Sequence, residues 1–343
     1  MKNSFIRIAA LSAAALVPTL VVGQTQITGA GATFPNPIYQ KWFSESAKSH
    51  PGVEINYGSV GSGAGIKQIT EGTVDFGASD GPMTDAQIAE YKSKRGRDIL
   101  HFPTVMGADV PVYNIPGVMA SLKFTPGALA GIFLGTITKW NDPAITGPNP
   151  GVKLPAMDIV VAHRSDGSGT TYIWTDYLSK VSPQWKQKVG TNTSVNWPVG
   201  LGASGNPGVA GLVKQTEGAI GYVELIYAIQ NNLSYGSVQN VAGEFVTASL
   251  GGVSLAAAGA AANMPDDFRV SITNAPGKGS YPISSFTWLL VPAKIDDPAK
   301  RKVITDFVKW MLGDGQGFTE ALAYAKLPAP VVAKELKALA KVQ

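Results

Sequence analysis

Short blocks of alternating apolar and polar residues, each broken by glycine, run through the N-terminal third of the chain and predict strands alternating with short helices. Residues 26–35 read as a short strand and a glycine turn. Ile38, Trp42 and Phe43 mark the helix that follows, with Thr33 and Phe34 at the junction. Val53-Glu54-Ile55-Asn56-Tyr57 alternates as a strand does, and the glycine-rich run 58–65 leads into a short helix through Ile66 and Ile69 that Gly72 closes. Residues 74–80 predict another strand, which delivers Asp80 to its C-terminal end. Gly81-Pro82 then turns the chain into a helix capped at Thr84 or Asp85.

The same pattern returns further on. The apolar run Ile159-Val160-Val161-Ala162 is long enough for a buried strand, and the apolar residues of 172–178 recur at helical spacing. An internal echo links the halves: Gly63-Ala64-Gly65 leads to Lys67-Gln68-Ile69-Thr70-Glu71-Gly72, and Gly202-Ala203-Ser204-Gly205 leads to Lys214-Gln215-Thr216-Glu217-Gly218. A strand follows each. Two similar α/β lobes with a ligand cleft between them are expected, with the chain crossing to the second lobe around residues 105–114 and returning along a strand at 281–291. A helix over residues 297–310, with Val303, Phe307 and Trp310 on one face, would pack back on the first lobe.

Between the second lobe's strand and helix lies His163-Arg164-Ser165-Asp166-Gly167-Ser168-Gly169-Thr170-Thr171. It admits two readings. One is an ordinary Ser/Thr-capped helix after a glycine turn. The other is the floor of an anion site, where free N–H groups at a helix start attract an oxyanion, glycines let its oxygens approach the main chain, and Arg164 adds a charged fork.

Composition bounds what such a site could serve. Lys2 and Arg7 precede an apolar, alanine-rich run over residues 8–22, which reads as a secretory signal peptide cut near Gly23/Gln24; the run is short for a retained membrane anchor. Cysteine is absent, which excludes disulfides, thiol chemistry and a lipid-modified cysteine, and suits a bacterial periplasm. The formal charge of +4 includes the leader's cations, and Lys and Arg form no nucleic-acid stripe.

Other chemistries fit poorly. Ser165, Ser168, His163 and Asp166 are too close in sequence for a triad, and the Gly-x-Ser-x-Gly elbow is missing. His50, His101 and His163 are far apart, with no metal signature joining them to acids. The 58–65 loop lacks the Lys-Ser/Thr ending of a P-loop and the full dinucleotide fingerprint. Asp75 and Asp85 suit capping and surface roles.

Four motifs in order, Thr28-Gly29-Ala30-Gly31-Ala32-Thr33-Phe34-Pro35, Val74-Asp75-Phe76-Gly77-Ala78-Ser79-Asp80, Arg164-Ser165-Asp166-Gly167-Ser168-Gly169-Thr170 and Gly218-Ala219-Ile220-Gly221-Tyr222-Val223, resemble the periplasmic phosphate-binding proteins of high-affinity phosphate ABC transporters. The resemblance spans nearly the whole chain after the leader. It implies an α/β, two-lobe periplasmic binding protein fold, type II-like, with a hinge and an interlobe ligand cleft. Residues 1–23 would be the signal peptide, 24–108 the first part of lobe one, 109–280 lobe two, and 281–343 the return strand and C-terminal helices of lobe one.

Carried over by motif, the phosphate ligands fall on Thr33, Phe34, Ser62, Asp80, Arg164, Ser168, Gly169 and Thr170, with Asp166 supporting Arg164. The 61–65 loop has glycine where some relatives carry a second serine, and residues 242–269 match nothing distinctive. The implied protein is a periplasmic monomer that binds inorganic phosphate and delivers it to a membrane permease, with no cofactor, metal, nucleic acid or catalysis. Physical sense attaches to Asp80 in such a site: a carboxylate can accept the proton phosphate keeps at neutral pH, whereas sulfate would set two acceptors facing each other. A binding protein for another oxyanion and a secreted phosphatase or esterase are the alternatives.

Overall fold

The computed structural model describes residues 25–118 and 120–343, and the signal-peptide segment lies outside the described residues. Two α/β layers are built by the same local rule. In the first, β1 (Thr25–Gly31), α1 (Asn36–Ser49), β2 (Val53–Ser59), α2 (Ser62–Glu71) and β3 (Phe76–Ser79) follow in turn. Their strands pair in parallel in the order β2-β1-β3. Helix α3 (Asp85–Arg95) comes next, its Thr84 cap forming a reciprocal capping box with Gln87.

Strand β4 (Ile99–Asn114) then leaves this unit for the second one. There β5 (Val160–Arg164), α4 (Gly169–Val181), β6 (Leu201–Ala203), α5 (Gly205–Gln215) and β7 (Ala219–Glu224) repeat the first pattern. Their parallel order, β6-β5-β7, is again two-one-three. The echo read in the sequence is therefore topological: α2 and α5 end in its matching Lys-Gln segments, and β3 and β7 follow.

Beyond β7 come α6 (Leu225–Gln230), α7 (Leu250–Ala262), β8 (Ser284–Pro292), α8 (Pro298–Leu312) and α9 (Ala329–Leu339). The main sheet reads β2-β1-β3-β8-β4-β7-β5-β6, with the pair Ser234–Tyr235 added to β4 off this path. Residues 99–108 of β4 pair antiparallel with β8, and Asp109–Asn114 pair antiparallel with β7. The change of partner between Ala108 and Asp109 is where the chain passes from one α/β unit to the other. Nearly every β4 residue is buried, as expected of a strand covered on both faces.

The C-terminal helix reading holds with shifted ends. Asp297 caps α8 through the N–H groups of Ala299 and Lys300, and α8 packs on β1 of the first unit. Strand β3 begins later than the alternation suggested, because Asp75 is drawn out to accept from the N–H and hydroxyl of Thr28 and to meet Lys300. The segment 242–269, featureless in sequence, supplies α7. Capped by Ser249, this small-residue helix buries Gly252, Val253, Ala256 and Ala257 and packs on β4 and β8.

Candidate functional site

Four helix N-termini converge at the C-terminal ends of the parallel strands, where open α/β sheets hold ligands. In the first unit Thr33 and Phe34 precede α1, Ser62 opens α2 and Asp80 follows β3. In the second unit Arg164 ends β5, Ser168 caps α4, Gly205 opens α5 and Glu224 ends β7. Each α/β unit thus contributes two helix starts and an acid at the end of its third strand.

The units meet directly. Gly63 N–H donates to the Gly167 carbonyl at 2.8 Å. The Asn206 side chain donates both to Thr33 Oγ1 at 2.9 Å and to Thr170 Oγ1 at 3.0 Å, so one amide ties the two units at the site. Tyr227 donates to the Thr33 carbonyl at 2.5 Å. A Cβ added at Gly169 would lie 2.5 Å from both Asp80 Oδ2 and Ser62 Oγ. Only a residue without a side chain allows that approach.

Donors dominate the interior. Thr33, Ser62, Asp80, Arg164, Ser168 and Thr170 are all buried. Thr33 Oγ1 accepts from Asn206, Thr170 Oγ1 accepts from Arg164 and Asn206, and Ser168 Oγ accepts from Thr171 N–H. Each of these hydroxyls already accepts, and its O–H proton is left to donate. Ser62 Oγ accepts from Asp80 N–H, which leaves its own proton to donate. In the first turn of α4, Thr171 N–H goes to the Ser168 side chain and Tyr172 N–H to its carbonyl, which leaves Gly169 and Thr170 N–H at the positive end of the helix dipole. Phe34 packs its ring against Gly107 and accepts from Tyr324 at its carbonyl, so the group it has to offer is its N–H.

Arg164 carries the fixed positive charge. Nε donates to Asp166 Oδ1 at 2.7 Å, Nη2 to Oδ2 at 2.5 Å and Nη1 to Thr170 at 3.1 Å, leaving two of its five N–H bonds uncommitted. Burial works against the Asp166 charge, but Arg164 and the Gly205 N–H outweigh it and hold the carboxyl below its ordinary range. Asp80 is the opposite case. Burial pushes it up to about 7, with Thr287, the Arg164 charge and Ser62 pulling the other way. Thr287 donates to Oδ1 at 2.8 Å, while Oδ2 is buried with no protein donor.

Every sequence-predicted position, Thr33, Phe34, Ser62, Asp80, Arg164, Ser168, Gly169 and Thr170, falls at this one center, and Asp166 braces Arg164. His163 lies outside it, with Nδ1 on the Arg164 carbonyl and its ring stacked on Trp197. Asn206, Thr287 and Glu224 were missed. The echo held a signal for one of them, since aligning Gly63-Ala64-Gly65 with residues 202–205 points to a second glycine helix start, at Gly205-Asn206. Thr287 has no local signal; its place depends on β8 returning beside β3.

Comparison with known proteins sets this site in context. Residues 21–315 match the model of the PBP superfamily domain, which defines the class as that of the substrate-binding proteins. The phosphate-binding protein PstS of Xylella fastidiosa is 46% identical over 314 residues, covering 91% of this chain and 84% of that one. PstS of Pasteurella multocida is 46% identical over 309 residues (90% and 88%), and PstS of Methanocaldococcus jannaschii is 40% identical over 330 residues (90% and 84%). The chain belongs to this phosphate-binding protein family, a family of binding proteins and not of enzymes. Among solved structures, the high-affinity periplasmic phosphate-binding protein PfluDING, bound with phosphate, superposes with a TM-score of 0.71 at 23% identity over 91% of this chain and 93% of that one, a likeness of fold.

Proposed function

We propose that the chain binds inorganic phosphate in the cleft between its α/β units and hands it to the membrane permease of an ABC importer. The observation that carries the reading is a buried center of convergent donors around Asp80 Oδ2, a buried acceptor with no protein donor of its own. Thr33, Ser62, Ser168 and Thr170 hydroxyls, the N–H groups of Phe34, Gly169 and Thr170, and the free edge of Arg164 offer protons to the oxygens of an anion. Asp80 accepts the proton that phosphate retains. A fully ionized sulfate has none to give, and its oxygen would face the carboxylate unpaired.

Lobe one comprises residues 24–108 and 281–343, lobe two residues 109–280, and the ligand is shut between them by a hinge at the crossing strands. The protein acts as a periplasmic monomer, exported by cleavage of residues 1–23. The relatives in this family are named for phosphate, which supports the ligand reading. The test is calorimetric titration of refolded, phosphate-free protein with phosphate and with sulfate. Saturable heat with phosphate and none with sulfate is expected; equal binding of both, or turnover of a chromogenic phosphate ester, would overturn the assignment.

A further inference from the structure

The two α/β units match in topology, and at one point they differ in chemistry. In lobe one the acid after the third strand, Asp80, lies one step beyond the β3–β8 pair Ser79–Trp288, beside Thr287, whose hydroxyl donates to it. In lobe two the equivalent acid, Glu224, is paired in the β7–β4 ladder with Asp109. An acid thus stands where the twin has a hydroxyl donor. Glu224 Oε2 caps α6 by accepting Ile226 N–H at 2.8 Å, but Oε1 and both Asp109 carboxyl oxygens are fully buried without a protein donor. Directly opposed side chains in such a ladder have Cβ atoms about 4.5–5.5 Å apart. Two carboxylates carried at facing positions in a dry interior repel, and a proton on either one removes the repulsion.

We propose that Asp109 and Glu224 form a carboxyl pair that holds a proton while the cleft is shut and gives it up when the cleft opens, so that closure on the ligand takes up a proton at the hinge. Asp109 is the first β4 residue to pair with lobe two, so rotation between the lobes alters its surroundings first. In the closed state its carboxylic acid stands in for the Thr287 hydroxyl. Opening admits water and returns the acid to ordinary carboxylate behavior.

The groups around the pair agree. Asp80 adds negative charge to both acids, and Arg164 is the cation acting on Asp109. Burial first, then these acids, raise Asp109 well above its usual value; burial first likewise raises Glu224, against the Ile226 N–H. Tyr222, Tyr281 and Tyr227 face the pair from β7, from the turn before β8 and from α6. Tyr324 neighbors Glu224, but its one proton goes to the Phe34 carbonyl at 2.6 Å, so a bond between them would have the acid as donor. Helix α7, packed behind β4, carries no titratable residue. On α5, Lys214 sits at the far end of the strand, where its carbonyl accepts from Asn114, and α4 presents Tyr177 toward Tyr281.

The inference rests on the phosphate reading, and its test separates the two. Phosphate is titrated into the full chain near about pH 7 in buffers of different ionization enthalpy, which gives the protons taken up per ligand bound. Asp109→Thr installs the lobe-one residue, and Asp109→Asn keeps the shape; both are expected to bind phosphate with up to about one proton less uptake than the parent. Uptake equal to the parent's in either binding-competent variant overturns the pair. If both variants fail to fold, infrared spectra of the parent decide: a protonated-carboxyl band that appears with phosphate supports the proposal, and one unchanged by phosphate overturns it. A parent that binds no phosphate overturns the function assignment itself, and the coupling falls with it.

Discussion

At the scale of single residues, Asp80 and Arg164 set opposite demands on the ligand. Arg164 fixes one positive charge, oriented by two hydrogen bonds to Asp166. Arg164→Ala removes the site's fixed cation and leaves Asp166 with only the Gly205 N–H as a partner, and is expected to cost about 2–5 kcal/mol in phosphate affinity, with Arg164→Lys losing only part of it. Isothermal titration of both variants checks the order. Asp80 decides which anion is accepted. Asp80→Asn keeps the shape but supplies an N–H donor, so competition titration should show phosphate retained and sulfate rejection relaxed; unchanged exclusion, with the fold intact by circular dichroism, would refute proton reading by Asp80. A pH signature accompanies it. The folded carboxyl sits at about 7 against an ordinary 3.8, so between those values the folded state binds more protons than the unfolded one. Stability of the phosphate-free parent therefore falls as pH rises through that window, and calorimetric melting of Asp80→Asn should lack this component of the fall.

At the scale of elements, the site depends on how closely helix starts approach one another. Gly169→Ala places a methyl against Ser62 and Asp80 across the cleft, while alanine in the first turn of α4 suits the helix itself. Phosphate affinity should fall by an overpacking cost of about 1–3 kcal/mol, with the melting temperature of the ligand-free protein little changed. Gly211→Ala on α5, where an added Cβ meets nothing, is the control and should bind as the parent does. This approach also marks the limit of what the chain reveals as text. Alternation and glycine placement exposed β1, β2, α2 and the Thr84 cap, and the motif around Arg164 placed α4, because those signals are local. Asn206, Thr287 and the Asp109–Glu224 pair were hidden, because each gains its meaning from a strand or helix remote in sequence. Helix α7 escaped for another reason: a run of alanine and glycine has no periodicity to read, and its burial is decided by the β4 and β8 surface it covers.

At the scale of the molecule, two units of like topology are joined through β4 and β8, and the contacts holding them together lie on both sides of the cleft. At the site these are the Asn206 bridge and the Gly63–Gly167 bond. At the rim, Arg269, in the segment after α7, reaches to the Met83 carbonyl at 2.9 Å and to Asp85 at 2.7 Å. The rim clasp is half-exposed to solvent and worth little alone, since surface ion pairs contribute about 0–1 kcal/mol. The shut form must then be favored chiefly by a ligand that touches both lobes, because a ligand shifts such an equilibrium only by its differential contacts. Small-angle scattering should accordingly show contraction when phosphate is added to phosphate-free protein. Arg269→Ala should contract to the same final profile while losing less than about tenfold in affinity, the scale of a surface pair. A scattering profile that does not change at phosphate concentrations proved saturating by calorimetry would mean that the lobes are shut before the ligand arrives, and a hinge would no longer be needed to explain how an anion is enclosed.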